Sequence, residues 1–126
     1  MRLVDTSAWI EWLLGSHTGD AVSRDLPETE QWLMPTIVQL ELAKWTRREL
    51  SDDKADRVIA FTKTCVVAPL DTPLAISAAE ASARHKLPIA DAIVYATSAA
   101  YGADLLTCDR HFEGLERVRY VAKASA

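Results

Sequence analysis

Apolar residues follow two alternating patterns along this chain. Short continuous runs, as in strands buried on both faces, are separated by stretches where apolar residues recur at roughly every third or fourth position, the spacing of a helix face. Arg2–Val4 (RLV) is a run of the first kind and ends at Asp5. Over Thr6–Leu14 the residues Trp9, Ile10, Leu13 and Leu14 take helical spacing, and Gly15 stops the helix. Residues 17–26 suit a second helix closed by Pro27, and QWLM before Pro35 suits a short strand. Residues 36–50 predict a longer helix, capped by Thr36, with Val38, Leu42 and Trp45 along one side. SDDKADRVIAFTKT opens on a Ser/Asp cap and predicts another helix, and CVVAPL a buried strand followed by Asp71. TPLAISAAEASARHK predicts a helix with Thr72 at the N-cap and Pro73 at the first helical position. Pro88 separates it from a helix over residues 90–101 closed by Gly102, after which DLLTC and RVRYV read as the last strands.

Strands thus alternate with helices, mostly helix pairs, without an Asn-Gly hairpin signal, a repeat or a low-complexity segment. Connections long enough for helical crossovers predict an α/β fold with a mainly parallel sheet and helices on both faces. The chain has 126 residues, 49% of them hydrophobic and 25% charged, which suits one compact domain over residues 1–126. No apolar run could span a bilayer and MRLVDTSAW lacks a signal-peptide pattern, so the cytoplasm is the expected compartment. The two cysteines, Cys65 and Cys108, have no zinc-site spacing and read as inert core thiols. A net charge of −4 counts against a generally basic nucleic-acid surface, unless the acids gather around a cation.

Ligands of open parallel sheets sit beyond the carboxyl ends of the strands. Asp5 follows the first strand and Asp109 follows DLLTC, so both leave that edge. Asp91 lies in the first turn of the helix feeding DLLTC, and Glu41 lies mid-helix between Leu40 and Leu42, where a carboxylate is costly to desolvate unless paired. Each acid has a local explanation: a helix cap for Asp5, the helix dipole for Asp91, a turn for Asp109 and pairing with Lys44 for Glu41. Taken together, acids converging on one sheet edge repel one another, and a bound divalent cation removes the conflict. Oxygen ligands without a Cys or His pattern favour Mg²⁺ or Mn²⁺, whose chemistry suits phosphodiester cleavage. Thr6, Ser7 and Thr107 adjoin these acids and either orient them or serve as caps and strand formers.

LVDTSAWIEWL, TIVQLELAKW and LPIADAIVYATSAAYGADLLTCDRHF together resemble PIN-domain ribonucleases, specifically VapC-type toxins of type II toxin–antitoxin pairs. The resemblance spans nearly the whole chain. It implies a three-layer α/β/α sandwich and a Mg²⁺/Mn²⁺ site to which Asp5, Glu41, Asp91 and Asp109 correspond. In that reading Asp5, Asp91 and Asp109 bind metal, all four acids are catalytic, and Thr107 matches a hydroxyl that often precedes the fourth acid. Asp104 is a rival for that fourth position. The resemblance also implies an RNA substrate, a homodimer and a cognate antitoxin whose C-terminal segment blocks the groove.

Basic residues accompany the acids and could hold phosphates: Lys44 and Arg48 on the face of Glu41, Arg47 beside them, Arg84, His85 and Lys86 before Asp91, and Arg110 next to Asp109. Otherwise they are solvated helix faces. His85 and His111 read as surface residues rather than proton carriers. Of four tryptophans, Trp9 and Trp45 fit core positions, whereas Trp12 is either packed or open to a partner. Two other functions suit a parallel sheet with an acidic pocket: a phosphoacceptor receiver domain, although Arg110 rather than Lys follows Asp109, and a catalytically silent PIN-like binding module.

Overall fold

The computed structural model describes residues 1–124. Among them, β1 (Arg2–Val4), β2 (Trp32–Pro35), β3 (Val66–Ala68), β4 (Asp104–Thr107) and β5 (Val118–Tyr120) form one wholly parallel sheet in the order β3-β2-β1-β4-β5. Leu3 stands in register with Leu33 on one side and Leu105 on the other. Leu3, Val4, Leu105 and Leu106 are fully buried, as central parallel strands covered on both faces require.

The crossovers are helix pairs: α1 (Thr6–Leu14) with α2 (His17–Ser23), α3 (Thr36–Glu49) with α4 (Asp52–Thr62), and α5 (Thr72–His85) with α6 (Ile89–Ala100). Each pair packs together, and α3 also touches α1 and α6. None of these helices is long and apolar enough to cross a membrane. The chain builds outward from β1 through β2 to β3, then returns to place β4 on the other side of β1. The strand order therefore reverses between β1 and β4, and the crevice at their carboxyl ends is where an α/β sheet presents a ligand site.

Local chemistry explains most element boundaries. Gly15 ends α1 in the left-handed region, at φ 64°, and the Ser51 hydroxyl caps α4 by accepting from the Lys54 N–H. Gly19 lets α2 approach α1 closely, because a Cβ there would collide with the Glu11 carbonyl oxygen. The cap of α5 differs by one residue from the sequence expectation: Asp71, not Thr72, accepts from the Leu74 N–H at 3.0 Å. Thr36 likewise is not a cap. Pro35 occupies that position, and the Thr36 hydroxyl accepts from the Leu70 N–H, tying the start of α3 to the exit of β3.

Helix α2 stops at Ser23, short of residue 26, because the next residues serve the amino edge of the sheet. The Asp25 carbonyl accepts from Arg2 Nη1 at 2.7 Å, and the Asp25 carboxylate pairs with Arg119 at 3.2 Å. Strand β3 covers only Val66–Ala68 of the predicted CVVAPL run, since Pro69 has no N–H to extend the ladder. Trp9 and Trp32 occupy the core with Phe61 against their edges. Trp12 packs on both, 5.4 Å from Trp9 and 6.0 Å from Trp32, so its role is packing. Trp45 is only half-buried. The buried positions of α3 are Val38, Leu42 and Thr46, and the Thr46 hydroxyl satisfies itself on the Leu42 carbonyl. Both cysteines are buried free thiols, and burial pushes each up to about 11, as inert thiols require.

Candidate active site

Asp5 is the first residue past β1 and stands at the N-cap position of α1, yet its side chain does not cap the helix. Its Oδ2 instead accepts from the Ser7 and Thr107 hydroxyls, each at 2.8 Å. Those hydroxyls are themselves oriented by backbone N–H groups at the end of β4: Ser7 Oγ accepts from Cys108 and Thr107 Oγ1 from Asp109. With its single proton given to Asp5, neither hydroxyl has one left for the other, although their oxygens lie 3.2 Å apart. Asp5 is 4% exposed. Burial pushes its carboxyl up to about 6; the two hydroxyls oppose the rise, and the charges of Asp91 and Asp109 add to it.

Asp109 caps the 3₁₀ turn Arg110–Phe112, accepting the His111 N–H at 2.9 Å. Phe112 is fully buried and anchors this turn in the core, so Asp109 and His111 are held at the sheet edge. Asp91, in the first turn of α6, meets the ring of His111: Asp91 Oδ2 lies 2.7 Å and Asp109 Oδ1 3.3 Å from His111 Nδ1. Burial raises the Asp91 carboxyl, the hydrogen bond to His111 opposes this, and the charges of Asp109 and Glu41 push it up again. His111 is raised in turn, chiefly by its hydrogen bond to Asp91 and then by the charge of Asp109. Glu41 Oε1 accepts from the Thr6 hydroxyl at 2.7 Å, and among the described residues Glu41 has no ion pair with Lys44.

The carboxyl ends of β1 and β4 thus bring Asp5 within reach of the charges of Asp91 and Asp109, and Asp91 within reach of those of Asp109 and Glu41; of the four acids, only Asp91 and Asp109 belong to the close group with His111. Asp104 is not among them. It opens β4 at the opposite, amino edge and binds Arg2 through both carboxylate oxygens, at 2.8 and 2.9 Å. The sequence reading of His111 as a surface residue holds, but it does not anticipate the contact with the acids. The ring is indeed 57% exposed, but its inner nitrogen faces two of the acids. The only sequence signal was its spacing two residues after Asp109, just before an aromatic residue able to anchor the turn.

This arrangement fits a divalent metal. Asp91, Asp109 and His111 each offer one ligand atom, all within 4.8 Å of one another, with the charges of Asp5 and Glu41 near them. An imidazole thus stands beside two of the carboxylates that the sequence reading names as oxygen ligands. The basic residues are dispersed. Arg110 lines a concavity of about 710 Å³ beside the acids, with Ser7, His111, Tyr120 and Lys123. Arg84 and His85 line a separate groove between α5 and α6, where the ring of His85 packs edge-on against Tyr95. Lys44, Arg47 and Arg48 are exposed along α3, and Arg48 pairs with Glu49.

The comparisons with known proteins converge on this fold. The PIN domain family matches residues 2–118, and the chain belongs to that family. Several solved structures share its fold. A toxin–antitoxin complex from Klebsiella pneumoniae superposes with a TM-score of 0.84 at 19% identity, covering 98% of this chain and 100% of that one. Mycobacterium tuberculosis VapC20, described as a sarcin–ricin-loop-cleaving toxin, gives 0.70 at 21% identity, covering 94% and 99%. DNA-bound VapBC from Salmonella typhimurium gives 0.70 at 17%, covering 94% and 95%. No curated protein matched the chain.

Proposed function

We propose that this protein is a Mg²⁺- or Mn²⁺-dependent endoribonuclease, the toxin of a type II toxin–antitoxin pair of the VapC kind, formed by one domain over residues 1–126. The convergence of Asp5, Glu41, Asp91 and Asp109 at the β1/β4 crevice carries this reading. Asp5, Asp91 and Asp109 hold the metal, and Glu41 is a further ligand or positions the attacking water. When bound, the ion supplies Lewis acidity toward the phosphodiester and toward water. The protein's own contribution is orientation. Ser7 and Thr107 fix the carboxylate of Asp5, and Thr6 occupies one oxygen of Glu41, leaving Oε2 as an acceptor for a water proton. Arg110 and Lys123 border the adjoining concavity, where they suit the phosphates flanking a scissile bond.

Family membership supports nuclease chemistry over a phosphoacceptor receiver. Fold relatives described as toxin–antitoxin assemblies support a cognate antitoxin as partner; the homodimer is carried only by the resemblance to VapC-type toxins. The test is cleavage of total RNA by purified, antitoxin-free protein with Mg²⁺ or Mn²⁺. Cleavage by the wild type, its loss in Asp5→Ala and its loss in EDTA are expected. Undiminished cutting by Asp5→Ala at saturating metal would refute the site assignment, and intact RNA with the wild type would favour a silent binding module.

A further inference from the structure

We propose that His111 contributes a nitrogen ligand to the metal centre and thereby tilts that centre toward Mn²⁺ over Mg²⁺. This rests on the four-acid reading above and deepens it.

The placement of the ring is the first argument. For metal–ligand bonds of about 2.1 Å, neighbouring ligands in an octahedron lie roughly 3.0 Å apart. The distances from His111 Nδ1 to Asp91 Oδ2 and Asp109 Oδ1, 2.7 and 3.3 Å, bracket that edge. Nδ1 lies within hydrogen-bond reach of Asp91, and a cation held by these three atoms would replace that contact, with the ring proton then on Nε2. The rigidity of the mount is the second. The backbone N–H of His111 is bound by Asp109, and the next residue, Phe112, is fully buried, so the imidazole is carried by an anchored turn.

Selectivity follows from ligand chemistry. Mg²⁺ is a hard ion that takes oxygen ligands and dehydrates reluctantly, whereas first-row transition ions gain more from an imidazole, and Mn²⁺ is the member most at home among carboxylates. A neutral imidazole also adds a donor to Asp5, Asp91 and Asp109 without adding further negative charge to a site that already holds Glu41. The side chain is exposed enough that its truncation removes little packing.

Pulsed electron paramagnetic resonance on the full-length, Mn²⁺-loaded protein tests this, together with calorimetric titration of Mn²⁺ and Mg²⁺. The chain has three histidines, so loss of the signal in a His111 variant identifies the ligand. Imidazole nitrogen modulation is expected in the wild type and absent from both His111→Ala and His111→Gln. Mn²⁺ affinity should fall about tenfold or more in these variants, with Mg²⁺ affinity changing less than about twofold. Unchanged circular dichroism confirms that each variant is folded. Mn²⁺ bound without nitrogen modulation, or modulation persisting in a folded variant, overturns the role of His111 and leaves the four-acid site standing. Failure of the wild type to bind either ion overturns both.

Discussion

Replacing Asp5 by Asn isolates the electrostatic cost of assembling this site. In metal-free protein, folding raises the Asp5 carboxyl from 3.8 to about 6. At about 1.4 kcal/mol per pH unit, the folded state carries roughly 3 kcal/mol of penalty when Asp5 is fully ionised. The sign follows from the direction of the shift. The folded protein holds this proton more tightly than the unfolded chain, so the fold is favoured below about pH 4 and loses that advantage as pH rises through about 6. An asparagine stays neutral throughout, keeps the shape, and presents an oxygen to the Ser7 and Thr107 hydroxyls that bind Oδ2. Its extra N–H groups lack an assured partner, which costs about 1 kcal/mol. Asp5→Asn should therefore stabilise the apoprotein at pH 8 by about 1–3 kcal/mol, raising Tm by roughly 4–12 °C, and the gain should disappear near pH 4. Thermal and urea melts in EDTA at pH 4, 6 and 8 measure it. A variant no more stable than wild type at pH 8, or a difference that does not shrink in acid, would refute the reasoning. Saturating Mn²⁺ should reverse the ranking, because only the wild type gains stability from binding it.

Asp104→Asn tests the assignment of the rival acid. Its pair with Arg2 lowers the Asp104 carboxyl and is partly exposed, with side chains 29% and 41% accessible, so after solvent screening the variant should cost only about 0.5–1 kcal/mol at pH 7. That contribution is present above the unfolded pKa near 4 and fades as pH falls through the lowered folded value, while calorimetric metal affinity stays unchanged. Gly19→Ala should lower the urea midpoint by an equivalent of about 1–3 kcal/mol, because the added methyl meets Glu11 and Trp12 backbone atoms that cannot yield independently. Thr107→Val removes a donor to Asp5 and strips the Asp109 N–H of its acceptor; it should cost about 1–3 kcal/mol in denaturant melts and lower RNA cleavage roughly 10–100-fold, with Thr107→Ser restoring both.

Element order was readable because each kind of apolar spacing here has one structural solution, and parallel strands joined by helix pairs follow from it. Exact boundaries were not. Asp71 and Thr72 are both good caps, and the ring of Pro73 suits either of the first two helical positions, so only the tertiary frame chooses between them. Trp45 misled because apolar character outweighed position: the buried stripe of α3 continues through Thr46, whose hydroxyl is internally satisfied. Within the site, the acids at the strand ends were legible from topology alone. The choice between helix capping and holding Asp5 was not, for Ser7 or Thr107, since it depends on β4 lying beside β1. His111 was less legible still, because the contact that defines it spans twenty residues of sequence, to Asp91.

The placement of β4 beside β1 also sets a schedule. The Thr107 hydroxyl that fixes Asp5 is made 102 residues after it, and Asp109 follows that. A growing polypeptide can pair β1 with β2 early but leaves the other edge of β1 open until β4 is made, with domains generally completing as units. Fragments that stop before Thr107 lack both the clamp on Asp5 and the turn bearing Asp109 and His111, so interrupted translation releases no product with an assembled acidic centre.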